Sequence, residues 1–178
     1  NAIKRLSTFH PERPMPKIFR LVKNGKLIEG VYEGETLNTP SMFCVADALD
    51  SLMWIKEIGG LTETIRRSNE NFKCLQGWVD KTPWIENLVS DPRNRSNTSV
   101  CLKFSDERLI SLIPDEKTRF VKEFVALLEA ENAAFDIKGH RNAPPGLRIW
   151  CGATINLDDI QKLLPWLEYC FHEIISSY

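Results

Sequence analysis

The apolar residues of the second half of the chain change period along its length, and that change restricts the fold more than any other feature. Thr98–Phe104 alternates with period two and is rich in β-formers, which predicts a strand. Phe120, Val121, Phe124, Leu127 and Leu128 then recur at helical spacing, predicting a helix from an Asp115 N-cap behind Pro114 to about Asn132. Short strands are expected at 134–137 and 147–151. A last helix, capped by Asn156, should bury Ile160, Leu164, Leu167, Phe171 and Ile174, with a kink at Pro165. A strand–helix–strand–strand–helix order of this kind predicts an α+β fold, a small sheet covered by helices.

The first half reads differently. Residues 1–17 carry Pro11, Pro14 and Pro16, which suggests an irregular, extended connector with His10 exposed. Asn24-Gly25 between β-rich flanks predicts a hairpin, because both turn positions need positive φ. A helix is expected over 39–58, with Thr39 as N-cap, Pro40 in the first turn, and Val45, Leu49, Leu52 and Met53 on one face. Gly59-Gly60 should end it. A second helix, roughly 62–81, carries Ile65, Phe72, Leu75 and Val79 and stops before Pro83. A short strand over 84–89 and turn chemistry from Asp91 to Asn97 complete the reading.

Composition removes several classes of function. The 178 residues hold 23 Lys+Arg and 24 Asp+Glu, for a net charge of -1. Nothing in that balance favours a general nucleic-acid or membrane binder. At 43% apolar residues the chain can bury a core, yet no apolar run is long enough to span a bilayer. The five cysteines are scattered, without CxxC or a Cys/His cluster. This argues against a disulfide framework and a zinc site, and for a reducing, cytoplasmic compartment. The chain starts at Asn1, as a piece of something longer would.

Two stretches could bind anions. From Ile137 to Leu157 there is no Asp or Glu, while Lys138, Arg141 and Arg148 are cationic and His140 can become so. Arginine forks hold carboxylates and phosphates in bidentate fashion, and a Pro144-Pro145-Gly146 turn would fix their separation. The bland alternative is a solvated basic loop. Asn38-Thr39-Pro40-Ser41 opens a helix, where free N–H groups attract phosphate; here the alternative is an ordinary cap. His172 reads as a surface residue, and Trp78, Trp84, Trp150 and Trp166 read as core. No cysteine has a basic partner nearby in sequence that would make it a nucleophile.

Four segments carry a family resemblance. They are Pro14–Arg20 (PMPKIFR), Gly34–Ser41 (GETLNTPS), Arg95–Leu102 (RSNTSVCL) and above all Ala143–Thr154 (APPGLRIWCGAT). Together they resemble the phosphoserine aminotransferases, in their archaeal and alphaproteobacterial branch. These are class V aminotransferases of fold type I, homodimers that use pyridoxal phosphate. The resemblance implies a C-terminal half only, with residues 1–60 from the end of the large domain and 61–178 forming the small C-terminal domain. It implies that Arg148 grips the substrate α-carboxylate and that His140 and Arg141 contact the phosphate of phosphoserine. It also implies that Asn38 and Thr39 reach across the dimer to the cofactor phosphate.

The parent would interconvert phosphohydroxypyruvate and glutamate with phosphoserine and 2-oxoglutarate. No lysine here sits in a context resembling the family's Schiff-base lysine. The aromatic that stacks on the pyridine ring and the aspartate that pairs its nitrogen are missing too. The chain alone is therefore expected to hold no catalytic residue and to be inactive. Apolar side chains such as Phe19, Leu21 and Phe43 should lie open without the large domain or a partner subunit. Two alternatives stay open: another class V aminotransferase of serine/glyoxylate type, and a non-catalytic anion-binding or assembly domain.

Overall fold

The computed structural model describes residues 2–9, 12–13 and 15–178, so the expectation for His10 lies outside the described residues. The chain divides into two compact units, residues 1–54 and 55–178.

In the first unit, Ala2–Thr8 is a helix (α1), where an irregular connector was expected. The prolines that suggested a connector all follow it in sequence. Ala2, Lys4, Arg5 and Leu6 are good helix formers, and the Ser7 and Thr8 hydroxyls donate back to the carbonyls of Ile3 and Lys4 at 2.8 and 2.9 Å. The hairpin forms as expected from β1 (Val22–Lys23) and β2 (Lys26–Leu27), with Val22 opposite Leu27. Asn24 and Gly25 take φ of 52° and 73°, the left-handed pair that a two-residue turn of this hand requires.

The helix α2 (Met42–Glu57) begins later than its expected start. Ser41, not Thr39, is the cap: its hydroxyl accepts the Cys44 N–H at 3.4 Å, and its carbonyl accepts Val45 N–H at 3.1 Å. The side chains at helical spacing are open, with Leu49, Leu52 and Met53 all about half exposed or more. Phe19 and Phe43 are exposed as expected, and Leu21 is half-buried.

The second unit holds the core. Helix α3 (Gly60–Val79) is followed by β3 (Ile85–Asn87), β4 (Ser99–Phe104), the short α4 (Glu107–Ile110), α5 (Pro114–Ala130), β5 (Leu147–Trp150) and α6 (Leu157–Ile175). The strands form one antiparallel sheet in the order β3-β4-β5, so the fold is α+β. Period-two alternation puts Ile85, Val100, Leu102, Leu147 and Ile149 on one face, all buried. That face packs against Leu75 and Val79 of α3, Phe120, Phe124 and Leu128 of α5, and Ile160, Leu167 and Phe171 of α6. The opposite face carries Glu86, Ser99, Cys101, Lys103, Arg148 and Trp150, none of them buried.

At the centre, Trp84 stacks on Phe171 with ring centroids 4.1 Å apart and planes 5° from parallel. Such a pair adds about 0.5–1.5 kcal/mol to the area it buries. Trp78 is half-buried, but Trp150 and Trp166 lie outside the core, contrary to expectation. Trp150 falls on the open face because its neighbour Ile149 takes the buried register. Ile65 also stays open, at the solvent end of α3.

Two local expectations fail in this unit. The cap of α5 is Ile113, with Pro114 first in the helix and Asp115 inside its first turn; the Ile113 N–H donates to Glu116 Oε2 at 3.3 Å. Residues 134–137 form no strand, so the expected strand–helix–strand–strand–helix order from β4 onward becomes one strand, two helices, one strand and a helix. The chain leaves α5 through Asn132 in the left-handed region, and the N–H groups of Ala133 and Ala134 turn back to the Leu128 carbonyl. Their donors are therefore used locally, and pairing with β5 shrinks to a single bridge from Lys138 to Leu147. Pro165 lies inside α6, which continues as one helix on both sides of it. The carbonyl that Pro165 deprives of a donor belongs to Gln161, an exposed residue open to water.

Candidate functional site

The acid-free stretch singled out in the sequence forms a closed-base loop followed by a strand. At the base, Gly139 N–H donates to the Gly146 carbonyl at 2.9 Å, and Arg148 N–H donates to the Ile137 carbonyl at 2.7 Å. Inside the loop, Ala143 N–H donates to the His140 carbonyl at 2.8 Å, and Asn142 N–H donates to the His140 Nδ1 at 3.2 Å. The imidazole is thus held by its own loop, with Nε2 directed elsewhere. Gly146 is required for contact rather than for an unusual φ: a Cβ there would collide with the Leu102 carbonyl oxygen of β4. This close approach seats the Pro-Pro-Gly turn against the sheet.

Lys138, His140 and Arg141 line an open pocket of about 220 Å³, with Thr118 and Val121 of α5 and the Ala143–Gly146 segment as its other walls. Three cationic or titratable side chains thus border one cavity, and no carboxylate lines it. Such a cavity suits an anion. Arg148 is not part of this pocket. It lies midway along β5 on the open face of the sheet, directly opposite Cys101 of β4. Its guanidinium meets Asp136 Oδ2 at 3.5 Å from Nη2. The two arginines expected to bind one substrate are thus not brought together in one pocket: Arg141 lines it and Arg148 does not.

Asn38 and Thr39 belong to the first unit, in an irregular exposed stretch just before the Ser41 cap. Their amide and hydroxyl are fit to donate to a phosphate. Every lysine of the chain is at least partly exposed. Among the described residues no group of His, Cys, Asp and Glu is arranged for a metal ion, and no helix is long and apolar enough to cross a membrane.

Two supporting residues escaped the sequence reading. Asn71 of α3 is buried, and its Nδ2 donates to the Ile155 carbonyl at 2.8 Å, with Cys151 and Gly152 carbonyls at 3.4 Å. It ties α3 to the segment that follows β5, just beyond Arg148. A single polar residue in a helix gives no signal for that role. Asp136 is the second. Its signal was present, since it is the last acid before the acid-free stretch.

The two buried cysteines are poor nucleophiles. Burial pushes the Cys151 thiol up to about 12 and the Cys170 thiol up to about 11. His172 is exposed on α6, as expected, with Nε2 3.8 Å from Glu168.

Comparison with known proteins gives one consistent answer. The chain is 44% identical over 172 residues to the phosphoserine aminotransferase of Methanosarcina mazei, matching 96% of this chain and 43% of that protein. With the phosphoserine aminotransferase of Methanosarcina barkeri it is 43% identical over 173 residues, covering 96% of this chain and 44% of the relative. The chain thus spans less than half the length of these relatives. No family profile matches it.

Among solved structures, the phosphoserine aminotransferase of Bacillus circulans subsp. alkalophilus superposes with a TM-score of 0.68. The match covers 89% of this chain and 39% of the other at 21% identity. A PLP-bound phosphoserine aminotransferase from Trichomonas vaginalis gives a TM-score of 0.63 over 78% of this chain and 36% of the other, at 22% identity. The resemblance stated from the four sequence segments therefore holds along nearly the whole chain, and the α+β architecture is that of the corresponding part of these enzymes.

Proposed function

We propose that this chain is the C-terminal part of a phosphoserine aminotransferase, a cytoplasmic, homodimeric enzyme of serine biosynthesis. It would interconvert phosphohydroxypyruvate and glutamate with phosphoserine and 2-oxoglutarate. The observation that carries the reading is 44% identity sustained over 96% of the chain. Two separate cationic features support it: the pocket lined by Lys138, His140 and Arg141, and the Arg148 guanidinium on the open sheet face.

In this reading Arg148 takes the α-carboxylate that every substrate carries. His140 and Arg141 take the phosphate that only phosphoserine and phosphohydroxypyruvate bring. Asn38 and Thr39 hold the phosphate of pyridoxal phosphate in the partner subunit. That cofactor, when bound, supplies the electron sink for amino-group transfer. The residues of this chain bind and orient: planar guanidinium forks fix the carboxylate plane, and the Gly146 contact with β4 fixes where the forks begin. The lysine that moves the proton lies outside this chain, so the chain by itself is inactive. The open apolar side chains of α2, such as Phe43 at 82% exposure, are covered by the rest of the enzyme or by the partner subunit.

The test uses the full-length enzyme and two half-reactions. Arg148→Ala should weaken phosphoserine and glutamate alike. Arg141→Ala should weaken phosphoserine far more than glutamate. Loss of a desolvated, charge-assisted contact costs on the order of 2–5 kcal/mol, or roughly 30- to several-thousand-fold in kcat/KM. Equal losses on both substrates in Arg141→Ala would overturn the phosphate role and favour a substrate without phosphate, as in the serine/glyoxylate type.

A further inference from the structure

We propose that Asp136 is a displaceable internal counter-ion for Arg148, a positioning residue that holds the guanidinium over the carboxylate subsite until substrate arrives. The inference rests on the reading of Arg148 as the group that grips the α-carboxylate.

The pair is built into the backbone. Ile137, next to Asp136, accepts the Arg148 N–H through its carbonyl at 2.7 Å. That bond registers the Asp136 backbone beside the middle of β5. Asp136 itself takes φ of 53°, a left-handed conformation that few residues accept and that Asp and Asn accept best after glycine. The turn carries its carboxylate to the Arg148 side chain, Oδ2 to Nη2, at 3.5 Å.

The contact is also weak by design of its surroundings. The Asp136 side chain is 91% exposed and that of Arg148 39%. Ion pairs this exposed contribute little. At 3.5 Å only one of the five guanidinium N–H groups is engaged, so the two-pronged edge that a planar carboxylate prefers is still open. Other charges on this sheet face are already matched: Lys103 Nζ lies 3.0 Å from Glu86 Oε1. No further Asp or Glu occurs from Ile137 to Leu157, so Asp136 is the single carboxylate in the sequence around β5. An arriving carboxylate would form two parallel hydrogen bonds and push the Asp136 charge away into water. Asp136 thereby trades affinity for a preset guanidinium and a site that releases its product.

The experiment measures binding of glutarate, an unreactive dicarboxylate, to the full-length enzyme by calorimetry. Asp136→Asn keeps the left-handed backbone and removes the charge. Asp136→Gly keeps the backbone and removes the side chain. Both should tighten glutarate binding by about 2- to 5-fold at low salt, and the gain should shrink at high salt. In an Arg148→Ala background the gain should vanish. Unchanged or weaker binding in both variants, with Arg148→Ala abolishing binding, would overturn the counter-ion role alone. Undiminished glutarate binding in Arg148→Ala would overturn the reading of Arg148 and this inference with it.

Discussion

Glu168 accepts the indole N–H of Trp84 through Oε2 at 3.1 Å, and its other oxygen accepts the indole N–H of Trp78 at 2.8 Å. The Thr82 hydroxyl donates to the Trp78 carbonyl at 2.8 Å and lies 3.3 Å from the same carboxylate. One carboxylate on α6 therefore satisfies both tryptophans that close the α3–β3 corner. Without it their indole N–H groups would enter a half-buried site with no acceptor. Glu168→Leu should destabilise the protein by about 2–4 kcal/mol, because two donors lose a charged acceptor. Glu168→Gln, which keeps one carbonyl acceptor, should cost less. Chemical denaturation of the two variants checks the order; equal stability of Glu168→Leu and the parent protein would refute it.

Gly146→Ala should separate fold from site. The added Cβ meets the Leu102 carbonyl, so β5 must shift away from β4 at its first residue. Relief of such a clash costs about 1–3 kcal/mol. The same shift displaces the base of the basic loop, so anion affinity should fall as well. Thermal unfolding and binding of inorganic phosphate would be compared, and a variant with parental values in both would contradict the contact.

Thiol labelling gives a direct readout of burial. At pH 8 a thiol with a pKa near 12 is ionised in only about one molecule in ten thousand. Cys151 and Cys170 should therefore resist iodoacetamide in the folded protein, whereas exposed Cys44 should react freely. Mass spectrometry after a timed quench identifies the labelled sites. Rapid modification of Cys151 under native conditions would show that the β5–α6 corner opens.

Asp106 caps α4, accepting the N–H of Arg108 at 3.0 Å and its Nε at 2.9 Å. The Arg108 side chain is the main cause that holds the Asp106 carboxyl below its usual range. Because the folded value is the lower one, the cap contributes fully above the ordinary carboxylate range and is lost as pH falls through the folded value. Asp106→Ala should cost about 0.5–2 kcal/mol at pH 7 and progressively less on acidification. Denaturation curves at pH 7 and pH 3 test this, and a pH-independent difference would sink it.

Elements whose cause is local were legible in the sequence. Asn24-Gly25 can take its left-handed turn because of the two residues themselves. The strand Ser99–Phe104 and the helix Leu157–Ile175 follow from apolar period. The acid-free loop was visible as composition, and its residues do border one pocket. Ala2–Thr8 is equally local, a run of helix formers that ends before the first proline.

What tertiary structure decided is which donors and faces find partners. Residues 134–137 place Phe135 and Ile137 at strand spacing, yet their N-terminal neighbours turn back onto α5, so pairing with β5 starts only at Lys138. Trp150 has core chemistry, but register hands the buried side of β5 to Leu147 and Ile149. Leu49, Leu52 and Met53 have helical spacing, yet each is about half exposed or more. Asp136 meets Arg148, 12 residues away, only because one backbone bond and one left-handed turn aim it there. Local dihedral preference is written in each residue and its neighbours. Pairing energy is set by groups distant in the chain, and a single sequence carries their identities but not their meeting.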